Sequence, residues 1–489
     1  MPNILAYIML MIWPLVCMGL FRRLSMERAL IWSILGGYLV LPPLANFDLP
    51  LVPAMDKYSI PNLSALVILI VVMRCRISLW PHARLARILA GLMVLGVIPT
   101  VANNADPILF RVIANSEPIL FVVDQLPGMG LRDMFSGMVA QLIMLLPFFM
   151  GRQILGSEQG LRELLLALAV GGLVYSIPSL VEIRLSPQIN TWVYGFFQHS
   201  FAQTIRQGGY RPIVFLPHGL WLALFVMTAL VAMAALSRSV DGRARGRYLA
   251  LTAYLAVVLV LCKSLASLAY GIAFTPVVLL ANPKVQIRLA IVLALIAIVY
   301  PMLRNTGLVP IDAILAQAEA YSPERAQSLG YRFDNEQQLL ARAHEKPWFG
   351  WGQWGRNLVR HSETGEILTI PDGRWIIVFG TFGWVGYLAE MGLLALPLFL
   401  LGVRMRILKA AQISPFVAPI AIILAATMMD MLLNATLIPF TWLCAGAMLG
   451  YVENLQKDAD GAGGRALFGE GPAIGRSDSG TGPKKRNLI

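Results

Sequence analysis

Apolar runs of about 15–22 residues recur from one end of this chain to the other, the length scale on which a helix crosses a hydrocarbon layer about 30 Å thick. No other feature limits the fold as strongly. In lipid each backbone donor and acceptor needs a partner within protein, so a spanning segment is either a helix or part of a closed barrel. A barrel would alternate apolar and polar residues along short strands, and these runs do not. Only 13% of the 489 residues are charged and 57% are hydrophobic, whereas a soluble domain carries about 25% charged residues. The sequence therefore predicts an all-α polytopic membrane protein with about 12–13 transmembrane helices and a large, partly helical external loop. The spans fall near 3–20, 29–44, 60–73, 86–102, 134–150, 163–181, 213–236, 248–262, 267–281, 289–303, 375–402, 416–432 and 437–452. The pair around 248–281 reads either as a tight hairpin or as one broken helix.

Loop charge gives the orientation. One set of loops carries Arg22, Arg23 and Arg28; Arg74, Arg76, Arg84 and Arg87; Arg152 and Arg162; Arg238, Arg243, Arg245 and Arg247; Lys284 and Arg288; and Arg404, Arg406 and Lys409. The other carries Lys57, Arg111, Arg132, Arg184, Arg206, Arg211 and Lys263. The richer set belongs in the cytoplasm, which puts the N-terminus outside and the C-terminus inside. This asymmetry also explains the net charge of +12 without a nucleic-acid partner. Cys17, Cys75, Cys262 and Cys444 form no CxxC pair and read as packing residues. The first run lacks a basic leader and a small-residue cleavage site, so it reads as a retained span.

The chain divides into N-terminal spans (1–181), a first external segment (182–212), central spans (213–303), a large external loop (304–374), C-terminal spans (375–454) and a Gly-, Ser- and Pro-rich tail (455–489) read as disordered and cytoplasmic. The large loop is too long to be a mere connector. It has a helical middle, with Arg332, Glu336 and Leu340 at i, i+4 and i+8, ended by Pro347. The aromatic turn "HEKPWFGWGQWGRN" follows. Trp348, Trp351 and Trp354 recur every three residues between glycines there, either to stack on the apolar faces of sugars or to seat the loop at the bilayer surface.

Three short patterns, in order, resemble the O-antigen ligase and polymerase superfamily of bacterial envelope enzymes. Arg211-Pro212 precedes the span beginning "IVFLPHGLW", with His218 where the family usually has Asn. Arg332, Ala343, Pro347, Gly350 and Gly352 fit an R…A-x-x-x-P-x-x-G-x-G pattern. Asp372, Gly373, Trp375, Gly383 and Gly386 fit the last, with Asp in place of His. The resemblance covers roughly residues 180–400 and implies an inner-membrane glycosyltransferase with an external active site. Its donor would be a glycan linked to undecaprenyl pyrophosphate, with no cofactor and no metal. Polymerases extend the glycan by repeat units; ligases join it to the lipid A core. The Asp at 372 and the His at 218 favour the polymerase, which brings a chain-length regulator and a flippase as partners besides the lipid bilayer.

The residue types suit that chemistry. A pyrophosphate leaving group can be gripped by the planar fork of arginine without a metal, and Arg211, Arg332 and Arg206 are the external candidates. They read equally as snorkelling side chains or as partners of Glu182, Asp334 or Glu336. The acceptor hydroxyl needs a proton acceptor. Asp372 is the candidate base, with a plain helix N-cap as the bland alternative, and Glu336, His344 and His361 are its rivals. Glu390 and Asp430 lie inside apolar spans, where a structural partner is expected for Glu390. A lipid-linked oligosaccharide transporter is the competing class, but the chain shows no inverted repeat and no pair of interrupted spans. A structural partner in an envelope complex is the third reading.

Overall fold

Each of the thirteen apolar stretches centres on a helix in the computed structural model, which describes residues 1–49, 52–113, 120–206, 208–407 and 412–467. Among these, seventeen α-helices follow in chain order: α1 Ile4–Arg23, α2 Met26–Val40, α3 Ser59–Val67, α4 Arg84–Leu95, α5 Val97–Ala102, α6 Leu131–Ile154, α7 Glu158–Leu185, α8 Ile189–Tyr194, α9 Gly219–Ser237, α10 Gly242–Leu261, α11 Leu265–Leu280, α12 Pro283–Asn305, α13 Ile311–Tyr321, α14 Pro323–His344, α15 Arg374–Arg404, α16 Val417–Asp430 and α17 Pro439–Leu467. Eight are long and apolar enough to cross a membrane: α1, the α4–α5 pair, α6, α7, α9, α10, α12 and α15. Ser59–Val72, Leu265–Leu280 and Val417–Asp430 are apolar but shorter. The chain is built as an all-α polytopic membrane protein.

The middle of the bundle is α9. Its 19 residues carry no charge, and it is apolar all round, as a helix must be when every face is packed. It lies against α7, α10, α11 and α16, and almost all of its side chains are buried. The outer helices are the opposite. Ile8, Met11 and Leu15 on α1, Val257 and Val260 on α10, and Val292, Leu295 and Ile296 on α12 all face outward. So much exposed apolar surface belongs against lipid rather than water.

Polar contacts collect at two ends. At one, Arg152 on α6 and Glu453 on α17 form a buried pair at 2.8 Å, and the Glu453 carboxylate also accepts from the backbone N–H groups of His82 and Ala83. Arg28 grips Glu163 through two bonds of 2.8 and 2.9 Å at that end. The opposite end gathers Lys57, the segment 186–218, Lys263 and the long loop 306–373.

Three features depart from the sequence reading, and one decides an alternative it left open. The stretch 103–133 holds a β-hairpin, β1 Ile108–Ile113 with β2 Leu120–Leu126, whose signal was two β-branched runs bracketed by Pro107 and Pro127. A smaller hairpin, β3 Ile205–Arg206 with β4 Gly209–Tyr210, lies within the segment 182–212. Residues 248–281 form two helices joined by a tight turn at Cys262–Ser264. Finally, α17 continues to Leu467, thirteen residues into the stretch read as tail; good helix formers in "ENLQKDA" carry the helix past the apolar span. The rest of the tail, with Lys484, Lys485 and Arg486, lies outside the described residues.

The largest correction concerns α15, expected as one span over 375–402. It is two arms joined at Gly383, whose φ of 64° and ψ of −165° are not helical. Arg374 and Glu390 would stand about 24 Å apart on a straight helix. Instead the guanidinium is bonded to the carboxylate, with Nε 2.8 Å from Oε1. Trp375 packs edge-on to Tyr300 of α12, while the Tyr387 hydroxyl donates to the carbonyls of Ala297 and Ile298 on the same helix. The chain therefore dips into the bundle as a short arm (374–382), turns back at Gly383 and crosses as a long arm (384–404). Glu390 is paired with Arg374 rather than with a hydroxyl or a carbonyl.

Candidate functional site

The first half of the site rests on an irregular segment, residues 213–216, packed against the top of α9. A buried stretch without secondary structure must find partners for its backbone elsewhere. Here side chains supply them. The Glu182 carboxylate accepts from the N–H groups of Ile213 (2.7 Å), Val214 (2.8 Å) and Ile189 (3.0 Å). The Tyr175 hydroxyl accepts from Phe215 N–H. Gln198 Nε2 donates to the carbonyls of Val214 and Leu216, and Lys57 Nζ donates to that of Phe215 at 2.8 Å. Lys57 is fully buried between the rings of Tyr38 and Tyr58, and burial brings its ammonium down to about 7. Glu182 is thus committed to backbone and is not a partner for the arginines. Sequence reasoning missed Lys57, whose only signal was a lone cation in a short loop.

This platform aims Arg211 and His218. Arg211 follows the β3–β4 hairpin, its backbone N–H bonded to Thr204 and its Nη2 donating to the Lys263 carbonyl at 2.9 Å. Lys263 sits in the α10–α11 turn, and its Nζ donates to the Arg206 carbonyl. Lys263 is a second residue that the sequence showed only as a loop cation. Gly219 is needed because a Cβ there would lie 2.3 Å from Arg211 Cδ. His218 is the N-cap of α9: its Nδ1 accepts from Leu220 N–H at 3.0 Å, which leaves the proton of the neutral ring on Nε2. Burial lowers the pKa of this imidazole to about 3, with His199, Arg211, Arg332 and Arg206 adding to the effect. The ring is therefore neutral, and positive charge surrounds it, including the N-terminal end of the α9 dipole.

The second half comes from α14 and the short arm of α15. Arg332 sits mid-way along α14, which Glu336 ties to α12 through Arg304 (2.7 Å) and Tyr300 (3.2 Å). Arg332 reaches Asp372 with Nε 3.5 Å from Oδ2, and its Nη1 lies 3.3 Å from both the Leu433 carbonyl and Asn434 Oδ1. These are long contacts, and they leave the guanidinium loosely held. Asn434 in turn donates to Asp430, which also accepts from Thr436. Asp372 does not cap the helix: the N-cap position is Gly373, and no side chain bonds there. Desolvation raises the Asp372 carboxyl above the ordinary range while Arg332 pulls it back. Arg332, Glu336, Asp372 and Leu433 line a narrow crevice of about 10 Å³. A second, narrow one of about 30 Å³, mostly apolar, runs between α2, α7, α9, α16 and α17. Trp221, 6.1 Å from His218, and Thr436, bonded to Asp430, both line it.

The aromatic turn has a mechanical role. Its backbone splints the break in α15: Trp351 and Gly352 N–H donate to Gly380 and Thr381 carbonyls, and Trp384 and Val385 N–H donate to Pro347 and Trp348 carbonyls, over 2.8–3.2 Å. Backbone can approach this closely only because Gly350 and Gly383 lack a Cβ; one on either would lie 2.3–2.6 Å from the opposing chain. Both glycines also have positive φ. The three tryptophans separate. Trp351 is buried, with its Nε1 bonded to the Arg342 carbonyl and the Arg342 guanidinium 3.3 Å from its ring centroid. Trp348 and Trp354 are exposed at 66% and 64%, and Trp354 donates to Asp133.

Of the residues singled out by sequence, the structure brings Arg206, Arg211, His218, Arg332 and Asp372 together. Glu336 lines the same crevice but is taken up by Arg304. His344 stands exposed at the end of α14, 6.0 Å from Phe379. His361 lies in a separate turn, where its Nδ1 accepts from Glu363 and Thr364 N–H. Among the described residues, no three His, Cys, Asp or Glu side chains are grouped to hold a metal ion. Comparison with known proteins adds no name: the sequence matches no protein-family model and no curated protein.

Proposed function

We propose that this protein transfers a glycan from a polyprenyl-pyrophosphate carrier to an acceptor sugar hydroxyl at the outer face of a bacterial inner membrane, extending an O-antigen or exopolysaccharide by repeat units. It would span that membrane twelve or thirteen times, with its N-terminus in the periplasm. The supporting observation is the meeting of Arg211 and Arg332, from separate external segments, around a neutral His218 at the N-terminus of the central helix, with Asp372 3.5 Å from Arg332. The guanidinium groups that meet there, with the N-terminal end of α9, suit a pyrophosphate.

In this reading the acceptor hydroxyl attacks the anomeric carbon of the donor. The bond from that carbon to the pyrophosphate oxygen breaks, and the hydroxyl proton passes to Asp372, whose raised pKa makes it a better acceptor. The polyprenyl pyrophosphate leaves with its developing charge held by Arg211 and Arg332 and by the Nε2–H of His218. The loose contacts of Arg332 allow it to exchange Asp372 and Asn434 for phosphate oxygens.

The test is polymer length on a gel from a deletion strain carrying each variant, with protein level checked by blot. Arg211→Lys and Arg332→Lys keep the charge but lose the fork. Each should lower the rate about 30- to 1000-fold, which corresponds to about 2–4 kcal/mol. Asp372→Asn should abolish the polymer. Full-length polymer from the arginine variants would remove the clamp, and from Asp372→Asn the base.

A further inference from the structure

A second cavity, of about 560 Å³, opens between the β1–β2 hairpin, α14 and the chain following the aromatic turn. Ile108, Leu109, Phe110 and Leu126 of the hairpin give it an apolar wall. Arg342 and Glu345 of α14 and the segment Arg356–Arg360 complete the lining. It is separate from the crevice at Arg332, since Arg342 lies ten residues, or about 15 Å, further along α14.

The three arginines outnumber the carboxylates near them, Glu345 beside Arg342 and Asp106 close to Arg356. Arg356 is only 2% exposed, and its Nη atoms donate to the backbone carbonyls of Pro127 and Asp106, both at 2.8 Å. Arg360 donates to the Gly365 carbonyl. Glu345, bonded to Arg342 at 2.7 Å, is the one carboxylate ion-paired with any of the three among the described residues. The Nε atoms of Arg342, Arg356 and Arg360 are all buried, and none has a hydrogen-bond partner among those residues. Lys346 adds a further positive charge, 4.3 Å from the Trp351 ring against which Arg342 also stacks. A buried guanidinium that is neither ion-paired nor fully bonded is unfavourable by itself. Arg356 is such a group, and with Arg342 and Arg360 at the same opening the cavity is arranged for an anion. The facing apolar wall calls for a ligand with an apolar face as well, and the volume calls for more than a single small ion.

We infer that this cavity binds an acidic oligosaccharide, with a sugar carboxylate on the arginines and the pyranose faces on the apolar wall. The glycan class rests on the transferase reading above; the anion site rests on the cavity alone. It would make the protein selective for glycans that carry an acid group.

Calorimetry with the full-length protein in phosphatidylcholine nanodiscs tests this, with trigalacturonate as the probe. The probe should bind, and its methyl-esterified, neutral form should not. Arg360→Gln removes one guanidinium, and Ala341→Trp fills the opening from an exposed position on α14 without removing a charge. Each should raise Kd at least tenfold, while Arg332→Lys should bind as wild type. Equal binding of the neutral ester, unchanged binding in both cavity variants, or no binding at all would overturn the proposal. So would displacement of the probe by an equal concentration of inorganic phosphate, which would mark a general anion site, or loss of binding in phosphatidylglycerol nanodiscs, which would mark a lipid-headgroup site. Binding of trigalacturonate requires no donor, so failure of transfer would leave this result standing, and active transfer without this binding would remove the cavity proposal alone.

Discussion

Gly383→Ala tests the geometry on which the second half of the site depends. The residue sits at φ 64° and ψ −165°, a region open essentially to glycine alone, where any other residue costs about 1–3 kcal/mol. A Cβ there would also lie 2.3 Å from the carbonyl carbon and oxygen of Trp348 and 2.5 Å from Phe349 N. Backbone, unlike a side-chain tip, cannot swing aside, so the aromatic turn would have to lift away from α15. Four backbone hydrogen bonds cross that contact; losing two, at about 1 kcal/mol each, adds about 2 kcal/mol. The expected destabilisation is about 3–5 kcal/mol, read by denaturant titration in mild detergent. Gly392→Ala is the control. It lies in the long arm, a Cβ there would rest 3.4 Å from the flexible end of Leu89, and alanine should be neutral or stabilising by up to about 1 kcal/mol. If Gly383→Ala stays within about 0.5 kcal/mol of Gly392→Ala, α15 does not turn back, and the placement of Asp372 beside Arg332 loses its support.

Three further outcomes follow from the site. Glu182→Leu strips the acceptor from three buried N–H groups and should destabilise the protein by about 3 kcal/mol or more on the same titration. Glu182→Gln retains an acceptor oxygen and should lose less. His218 takes up a proton only in the unfolded chain between about 6.5 and about 3, so its neutral form supports folding above pH 6.5, and that support is lost as pH falls below it. At pH 4.5 the loss is about 2.7 kcal/mol, and His218→Gln should flatten the fall of stability between pH 7 and 4.5; an unchanged slope would refute the burial of that ring. A cysteine at Ser362 should react with an impermeant maleimide in intact cells, whereas labelling only after lysis would invert the topology.

Hydropathy located the helices because burial in lipid writes itself as composition, and α9 is legible from the absence of any charge over its 19 residues. The break in α15 was not. Gly383 stands in an apolar run that reads as one span, and only the splint from a turn thirty residues earlier makes the reversal stable. Sequence order also separated Arg211 from Arg332, and only the small motifs around them hinted that they meet. Lys57, Gln198 and Asn434 carry no pattern at all. Their work is to complete the hydrogen bonds of irregular backbone or of another side chain, and those partners exist only once the fold has formed. The aromatic turn suggested sugar contacts from its residue types, yet its glycines and backbone serve α15 and only two of its rings remain exposed.

The most direct measurement is transfer itself, with purified protein in liposomes containing a polyprenyl-pyrophosphate-linked oligosaccharide and EDTA in excess. The account predicts glycan products lengthened by whole repeat units, with one polyprenyl pyrophosphate released per bond formed, and none of either with Asp372→Asn or Arg332→Lys. Movement of the intact donor across the bilayer with no new glycosidic bond would contradict it and mark a transporter, and turnover that returns only on adding magnesium would show that the arginines are not the charge on which the leaving group depends.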